Sequence, residues 1–436
     1  MKITKHILII AALCFALSMK SQPAQAGAWP GNTISSGFGV QAKPERTGPD
    51  ELERIRDAGF SYVRYDMRWG DVEKEHGVYD WDFFDRFIGD MRTYHLKSVI
   101  ILNGPNSVYT QNVDVPPGQA FGASSVAAAP TKPEDVHAFA AFAVAAVERY
   151  GTKDIIWEIW NEPDMLAFWP PKPDADVFSA LATRTCHAIR NVAPHAVIVG
   201  PAIARLPDLG DFFHEHFFRV FMQSPVIGCL DAISVHPYRH KDQPPESVIA
   251  DYSSKVRPFI ASYTPKGQKP LPIIDGEWGY TSSDVTPEQQ AAYMLRIHLA
   301  NLLAGVPLTI LYEWKDSANM SDEREMHYGL LDSDGQNKGA AEVIGAILPR
   351  IKDAVIVRQL PLPSPDCYVV LIRQPGGKYQ LLAWIGRKRL ESGMVLQVKN
   401  GARNSGSSYA LSLQPQIIDI SSSSPQVTVA EKPSTP

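Results

Sequence analysis

The sequence predicts an α/β protein: a (β/α)8 barrel followed by a small C-terminal β-sandwich. Three observations carry that prediction. From Thr33 to Ala346, strand-like and helix-like stretches alternate eight times, as a closed parallel barrel requires. Gly37-Phe-Gly39 stands where an open doubly wound sheet would carry a glycine-rich phosphate loop, and it is no such fingerprint. After Lys352 the helical pattern stops and short strands with turn signals replace it.

The elements follow in order. Residues 1–26 read as a signal peptide rather than part of the fold. Lys2 and Lys5 form a basic start, Ile7 to Leu17 is apolar but too short to span a bilayer, and Ala24-Gln25-Ala26 is a small-x-small cleavage site. The expectation is an exported protein, periplasmic or extracellular, with no stable membrane insertion after cleavage. Loss of Lys2, Lys5 and Lys20 would take the formal charge from −5 to −8. An acidic surface argues against nucleic acid as a partner.

The barrel is expected over 27–351. Its strands are predicted at Thr33–Val40, Tyr62–Asp66, Lys97–Leu102, Ile155–Trp160, Ala196–Val199, Asp231–Val235, Pro272–Asp275 and Leu308–Tyr312. Its helices are predicted at Pro49–Ala58, Trp81–Tyr94, Pro133–Tyr150, Asp174–Val192, Leu209–Gln223, Glu246–Ser262, Pro287–Leu303 and Gly339–Lys352. Pro133-Glu-Asp and Thr286-Pro-Glu put proline and acids into a first helical turn, a favourable start. The connection after strand three is long, from Asn103 to about Lys132. Those after strands four and eight carry Phe168, Trp169, Trp314 and Tyr328. Such loops are usually functional or mobile.

The β-sandwich is expected over 352–430. Cys367–Arg373 and Tyr379–Ile385 are joined through Pro375-Gly-Gly-Lys378, a hairpin signal, and three further strands follow. The last residues, 431–436, read as a disordered tail. Cys186, Cys229 and Cys367 are far apart and have no metal-ligand spacing. At most one disulfide is possible, and buried single thiols are the expectation.

Function is read from two strand ends. Ile155 to Trp160 is an apolar run interrupted only by Glu158, and Asn161-Glu162-Pro163 follows it. The seventh strand ends in Asp275-Gly276-Glu277-Trp278-Gly279. In a (β/α)8 barrel the carboxyl ends of the strands face one common space. Two glutamates there suit glycoside hydrolysis with retention, which needs an acid/base and a nucleophile roughly 5–5.5 Å apart. Burial and a nearby like charge would hold Glu162 protonated. Arg64, within an apolar strand, needs a carboxylate partner. It is expected on Glu277, with Asp66 or Glu158 as structural alternatives. Tyr238 is expected to orient Glu277, and His236 either contacts the sugar or serves structure. Trp169, Trp314 and Tyr328 are candidate stacking faces for sugar rings. No residue pattern calls for a metal or an organic cofactor.

These motifs resemble those of the (β/α)8 retaining glycoside hydrolases of clan A. Trp160-Asn-Glu-Pro163 and Glu277-Trp-Gly279 carry the likeness, with Tyr62-Val-Arg64, Phe168-Trp-Pro170, His236-Pro-Tyr238 and Tyr328-Gly-Leu-Leu-Asp332. The nearer match is glycoside hydrolase family 39, leaning towards PslG-like, exopolysaccharide-associated members. The resemblance implies Glu162 as acid/base, Glu277 as nucleophile and Asn161 on the sugar 2-hydroxyl. Asp275-Gly276 departs from the pattern, since relatives often carry a hydroxyl residue beside the nucleophile. The expected partner is a polysaccharide or oligosaccharide. Endo action on a bacterial exopolysaccharide is expected. An exo-acting β-xylosidase-like enzyme, a non-catalytic polysaccharide-binding barrel and a transglycosylase are the alternatives.

Overall fold

The protein is represented by a computed structural model that describes residues 27–117, 123–206, 212–317, 323–387, 393–399 and 406–431. The signal peptide expected over 1–26 and residues 432–436 of the tail expected over 431–436 lie outside the described residues; Glu431 instead ends the last strand.

Eight parallel strands close into a barrel. They are β1 (Phe38–Gln41), β2 (Tyr62–Arg68), β3 (Lys97–Asn103), β4 (Ile155–Ile159), β5 (Val197–Ile203), β6 (Ala232–Val235), β7 (Ile273–Trp278) and β8 (Thr309–Leu311). Each pairs with its neighbours in sequence, and β1 closes on β8 through Gly39 opposite Ile310. Alternation along the strands turns one set of side chains inward. Tyr62, Val99, Ile156, Val197, Val199, Ala232, Ile274, Leu308 and Ile310 form that inner layer, all buried. Gly39 is required there: a Cβ would lie 2.5 Å from the Ile310 side chain and 2.7 Å from Tyr62 Cβ. Ala28 caps the floor, its carbonyl accepting from the Tyr62 hydroxyl at 2.7 Å. Above this floor the inward positions become polar, with Arg64 on β2 and Glu158 on β4.

The outer layer comprises α1 (Pro49–Asp57), α2 (Asp82–Thr93), α3 (Pro133–Tyr150), α4 (Ala175–Val192), α5 (Phe212–Gln223), α6 (the segments Ser247–Asp251, Tyr252–Val256 and Arg257–Tyr263), α7 (Pro287–Leu303) and α8 (Gly339–Ile351). The start of α7 is a full capping box, Thr286 with Gln289, which satisfies two first-turn amides. α6 differs from the expected single helix. It runs as Ser247–Asp251, a π-helical turn Tyr252–Val256, then Arg257–Tyr263. Pro258 offers no amide to the preceding turn, and the wider turn sits just before it.

Several strand boundaries also moved by a few residues, two of them for local reasons. Thr33–Val40 was expected to be one strand, but Ile34–Gly37 is a 3-10 turn. The Ser36 hydroxyl caps the Thr33 carbonyl at 2.6 Å, a local bond that competes with a strand. Trp160 was expected inside β4 but has φ +68° and leaves the strand.

Cys186 of α4 and Cys229, just before β6, form a disulfide with Cα atoms 6.2 Å apart. This corrects the expectation of single thiols: spacing in sequence does not reveal that α4 packs against this turn. Cys367 is free and buried.

The C-terminal strands form two antiparallel sheets around a second apolar cluster. One contains β9 (Val355–Gln359), β10 (Cys367–Arg373), β11 (Tyr379–Ile385) and β14 (Gln416–Asp419). The other contains β12 (Met394–Lys399), β13 (Gly406–Leu411) and β15 (Gln426–Glu431). This β-sandwich docks on the barrel through a buried ion pair. Arg296 of α7 donates to both oxygens of Glu246, at 2.8 and 2.6 Å, and Trp384 of β11 donates to the same carboxylate at 2.7 Å. Among the described residues no helix is long and apolar enough to cross a membrane.

Candidate active site

The site is built around Arg64, which is fully buried on β2. Its guanidinium donates to Glu158 Oε2 (2.6 Å), Gln41 Oε1 (2.9 Å), Glu277 Oε2 (2.7 Å) and Asn161 Oδ1 (2.7 Å). One side chain thus ties together β1, β2, β7 and the end of β4. The sequence offered Glu277 and Glu158 as alternative partners, and the structure uses both. Planar donors in a fixed fork allow this, and an ammonium would not.

Glu277 lies on β7 and is 8% exposed. Its other oxygen accepts from the Tyr238 hydroxyl at 2.8 Å. Burial raises this carboxyl above its ordinary value, while Arg64 and the Tyr238 hydrogen bond, which favour the ionised form, oppose it.

Glu162 sits in a turn beyond β4, at φ +41°. Its amide donates to the Ala202 carbonyl at 2.9 Å, and its carbonyl accepts from Met165. Its carboxyl is pushed up to about 8, first by burial and then by the neighbouring Asp164 carboxylate, with Arg64 opposing. His236 Nδ1 lies 2.8 Å from Glu162 Oε1, and Nε2 lies 3.4 Å from Arg64 Nη2. Arginine only donates, so Nε2 accepts and Nδ1 carries the proton that meets Glu162. Burial lowers the His236 pKa to about 4, keeping the ring neutral.

An oxygen of Glu162, a ring nitrogen of His236 and an oxygen of Glu277 lie within 4.8 Å of one another. Among the described residues this is the cluster whose atoms converge as metal ligands would. Arg64 already supplies the cation at Glu277.

Glu158, Gln41, Ser234, Asp164 and His214 also belong to the site but were not put forward as functional. Glu158 had a signal, a charge inside an apolar strand. Gln41 had none. Ser234 donates to Glu158. Gly276 is explained by the same contact: a Cβ there would lie 2.4 Å from Ser234 Oγ and 3.0 Å from Glu158 Oε1. The departure noted before Glu277 therefore leaves room for the carboxylate that holds Arg64. Asp275 is buried, with Oδ2 accepting from Asn301 of α7 at 2.6 Å, and burial drives its carboxyl well up.

None of the three expected stacking residues is at the surface. Trp169 is fully buried, packed 4.9 Å from Trp160 and 5.5 Å from Phe178. Trp314 is buried edge-on to Phe60. Both fill space between barrel and helices, where apolar area is better removed from water than presented to a sugar. Tyr328 is also buried, but it sits by the site, its ring 6.0 Å from Tyr238 and 5.2 Å from Tyr312.

Residues 23–306, more than half of the chain, match the family model described as Cellulase (glycosyl hydrolase family 5). The chain belongs to that family. Its (β/α)8 barrel is that of the clan A glycoside hydrolases. A β-xylosidase of Geobacillus stearothermophilus is 30% identical over 195 residues, which are 38% of this chain and 36% of that relative. The chain thus spans about a third of that relative's length. Among solved structures, a family 39 glycoside hydrolase from Bacteroides cellulosilyticus matches with TM-score 0.68 at 19% identity, over 89% of this chain and 81% of that one. A family 39 β-xylosidase from Caulobacter crescentus matches with TM-score 0.59 at 18% identity, over 86% and 84%. The last two likenesses are of fold.

Proposed function

We propose that the protein is a retaining glycosidase that, within the (β/α)8 fold of clan A, stands nearer the family 39 enzymes than the family 5 model that it matches. Glu162 is its acid/base and Glu277 its nucleophile. The observation that carries this is one carboxylate pair in two unlike environments. Oxygens of the two groups lie within 4.8 Å, too close for a water between carboxylate and sugar, as inversion would need. Glu277 carries a guanidinium and a phenol, while Glu162 is held protonated at neutral pH. In the first step a Glu277 oxygen bonds to the anomeric carbon. The glycosidic C–O bond breaks, and the Glu162 proton passes to the leaving oxygen. In the second step Glu162 takes a proton from water, whose oxygen displaces Glu277 from the same carbon. Asn161, with Oδ1 bonded to Arg64, has its Nδ2 left to donate to the sugar 2-hydroxyl.

The substrate reading is exo action at the end of a β-xylo-oligosaccharide or similar chain. The β-xylosidase likeness supports it. So does the burial of Trp169 and Trp314, which removes the aromatic platforms an open groove was expected to use. Endo action on a bacterial exopolysaccharide is the second reading, favoured by the leader-like residues 1–26, which would export the enzyme, and by the PslG-like motifs.

The test is the early product pattern from xylo-oligosaccharides and from a panel of exopolysaccharides, read by mass spectrometry, with proton NMR of the first anomer. Monosaccharide appearing first with its anomer retained supports the proposal. A ladder of oligomers replaces exo action by endo action. The opposite anomer appearing first rejects the double displacement.

A further inference from the structure

The acid Glu162 stands on an unusual piece of backbone. Trp160 and Glu162 have φ of +68° and +41°, and Ala202 on the facing strand end has +54°. None is glycine, and L-residues enter this region at a cost that surrounding structure must meet. Two stitches hold the turn. The first is Glu162 N to the Ala202 carbonyl at 2.9 Å. The second is made by a side chain: Asp164 accepts from Ala204 N, at 3.1 and 3.3 Å to its two oxygens. Positions 162 and 164 thus meet 202 and 204, extending the β4–β5 pairing past the end of β4 and along the last residues of β5. The Asp164 carboxylate does the work that a backbone carbonyl would do in a sheet. His214 in the first turn of α5 closes the arrangement, with Nδ1 2.5 Å from Asp164 Oδ2. Asp164 is 2% and His214 8% exposed.

We propose that Asp164 and His214 are positioning residues for Glu162. The buried carboxylate–imidazole pair pins the left-handed turn to the end of β5 and sets a carboxylate behind the acid. This rests on the reading of Glu162 as acid/base. The groups that bear on the Glu162 carboxyl come from every side: Arg64 of β2, His236 after β6, Glu277 of β7, His214 of α5, Arg205 after β5 and Asp164 in its own turn. After burial itself, Asp164 is the largest influence keeping the proton on. Removing a like charge makes ionisation easier, so the acid would lose its proton at lower pH.

The test uses the full chain with aryl β-xylosides of good (dinitrophenyl) and poor (phenyl) leaving groups. In Asp164→Asn the alkaline limb of kcat/KM should move down by about one pH unit. Near pH 8 the phenyl substrate should lose roughly fivefold, while the dinitrophenyl substrate, which needs little acid help, changes by no more than about twofold. His214→Gln keeps a donor to Asp164 but removes an imidazole that opposes the Glu162 proton, so it should move the alkaline limb up and lessen the phenyl deficit near pH 8, and it serves if the first variant does not fold. An unmoved limb with both substrates falling together overturns the proposal, as does a His214→Gln enzyme with wild-type selectivity. Glu162→Ala separates the two levels. If it keeps the alkaline limb, the acid assignment fails and the pair's role fails with it. If it abolishes the limb while Asp164→Asn leaves it in place, only the positioning proposal fails.

Discussion

Arg64 and Arg296 are both completely buried and both ion-paired, yet they serve different ends. Arg296 gives two bonds to one carboxylate, Glu246, and Trp384 closes that carboxylate off. Nothing there is left to react, and the pair docks the β-sandwich on the barrel. Arg64 spreads its bonds over Glu158, Gln41, Asn161 and Glu277. One of these carboxylates, Glu277, keeps some exposure. A buried arginine becomes part of a reactive site when its charge is divided between a closed carboxylate that anchors it and a reachable one that it keeps ionised.

Replacing each arginine should separate the two roles. Arg64→Lys keeps the charge but cannot reach four acceptors, so kcat should fall roughly 10²–10³-fold. Arg64→Met should fall further and also unfold at lower temperature, since Glu158 and Glu277 lose their cation. Steady-state kinetics with thermal melts checks both; a fully active Arg64→Lys enzyme would remove the hub from the mechanism. Arg296→Met should cost about 3–5 kcal/mol by leaving a buried carboxylate unpaired, measured by urea unfolding, with kcat unchanged at 25 °C. Converting Glu246 to Gln as well should recover much of that stability. A large loss of kcat in Arg296→Met would mean that the docking contact reaches the site.

Smaller effects sharpen the contrast. Opening the Cys186–Cys229 disulfide by a double Ala substitution should cost about 2–4 kcal/mol and leave kcat alone, because it links α4 to the turn before β6. The pH profile of kcat/KM should be bell-shaped. With Glu162 as the acid, working protonated, activity should fall as pH rises through about 8. With Glu277 as the nucleophile, working ionised, activity should fall as pH drops through a pKa that burial holds above its ordinary value. Tyr238→Phe removes a donor to the Glu277 anion, raises that pKa and should move the acid limb up by about half a unit to one unit. If the alkaline limb moves instead, Tyr238 acts on the other glutamate.

The local pattern of the sequence determined the barrel. Apolar runs of strand length, proline and acids at helix starts, and glycines at turns are short-range signals, and Pro133–Tyr150 and Pro287–Leu303 matched their predicted bounds. It also determined that Glu162 and Glu277 share one space, because every strand of such a barrel ends on the same face. The tertiary structure alone decided what surrounds them. Gln41 has no distinguishing sequence feature until β1 is laid beside β2 and its amide meets Arg64. Trp169 and Trp314 read as loop aromatics, yet whether a loop ring faces solvent or fills a gap depends on helices far away in sequence. The Cys186–Cys229 pairing and the Asp164–His214 contact cross 43 and 50 residues. Periodicity reports which face of an element is buried, not which other element will cover it, and that second choice is made only when the whole barrel closes.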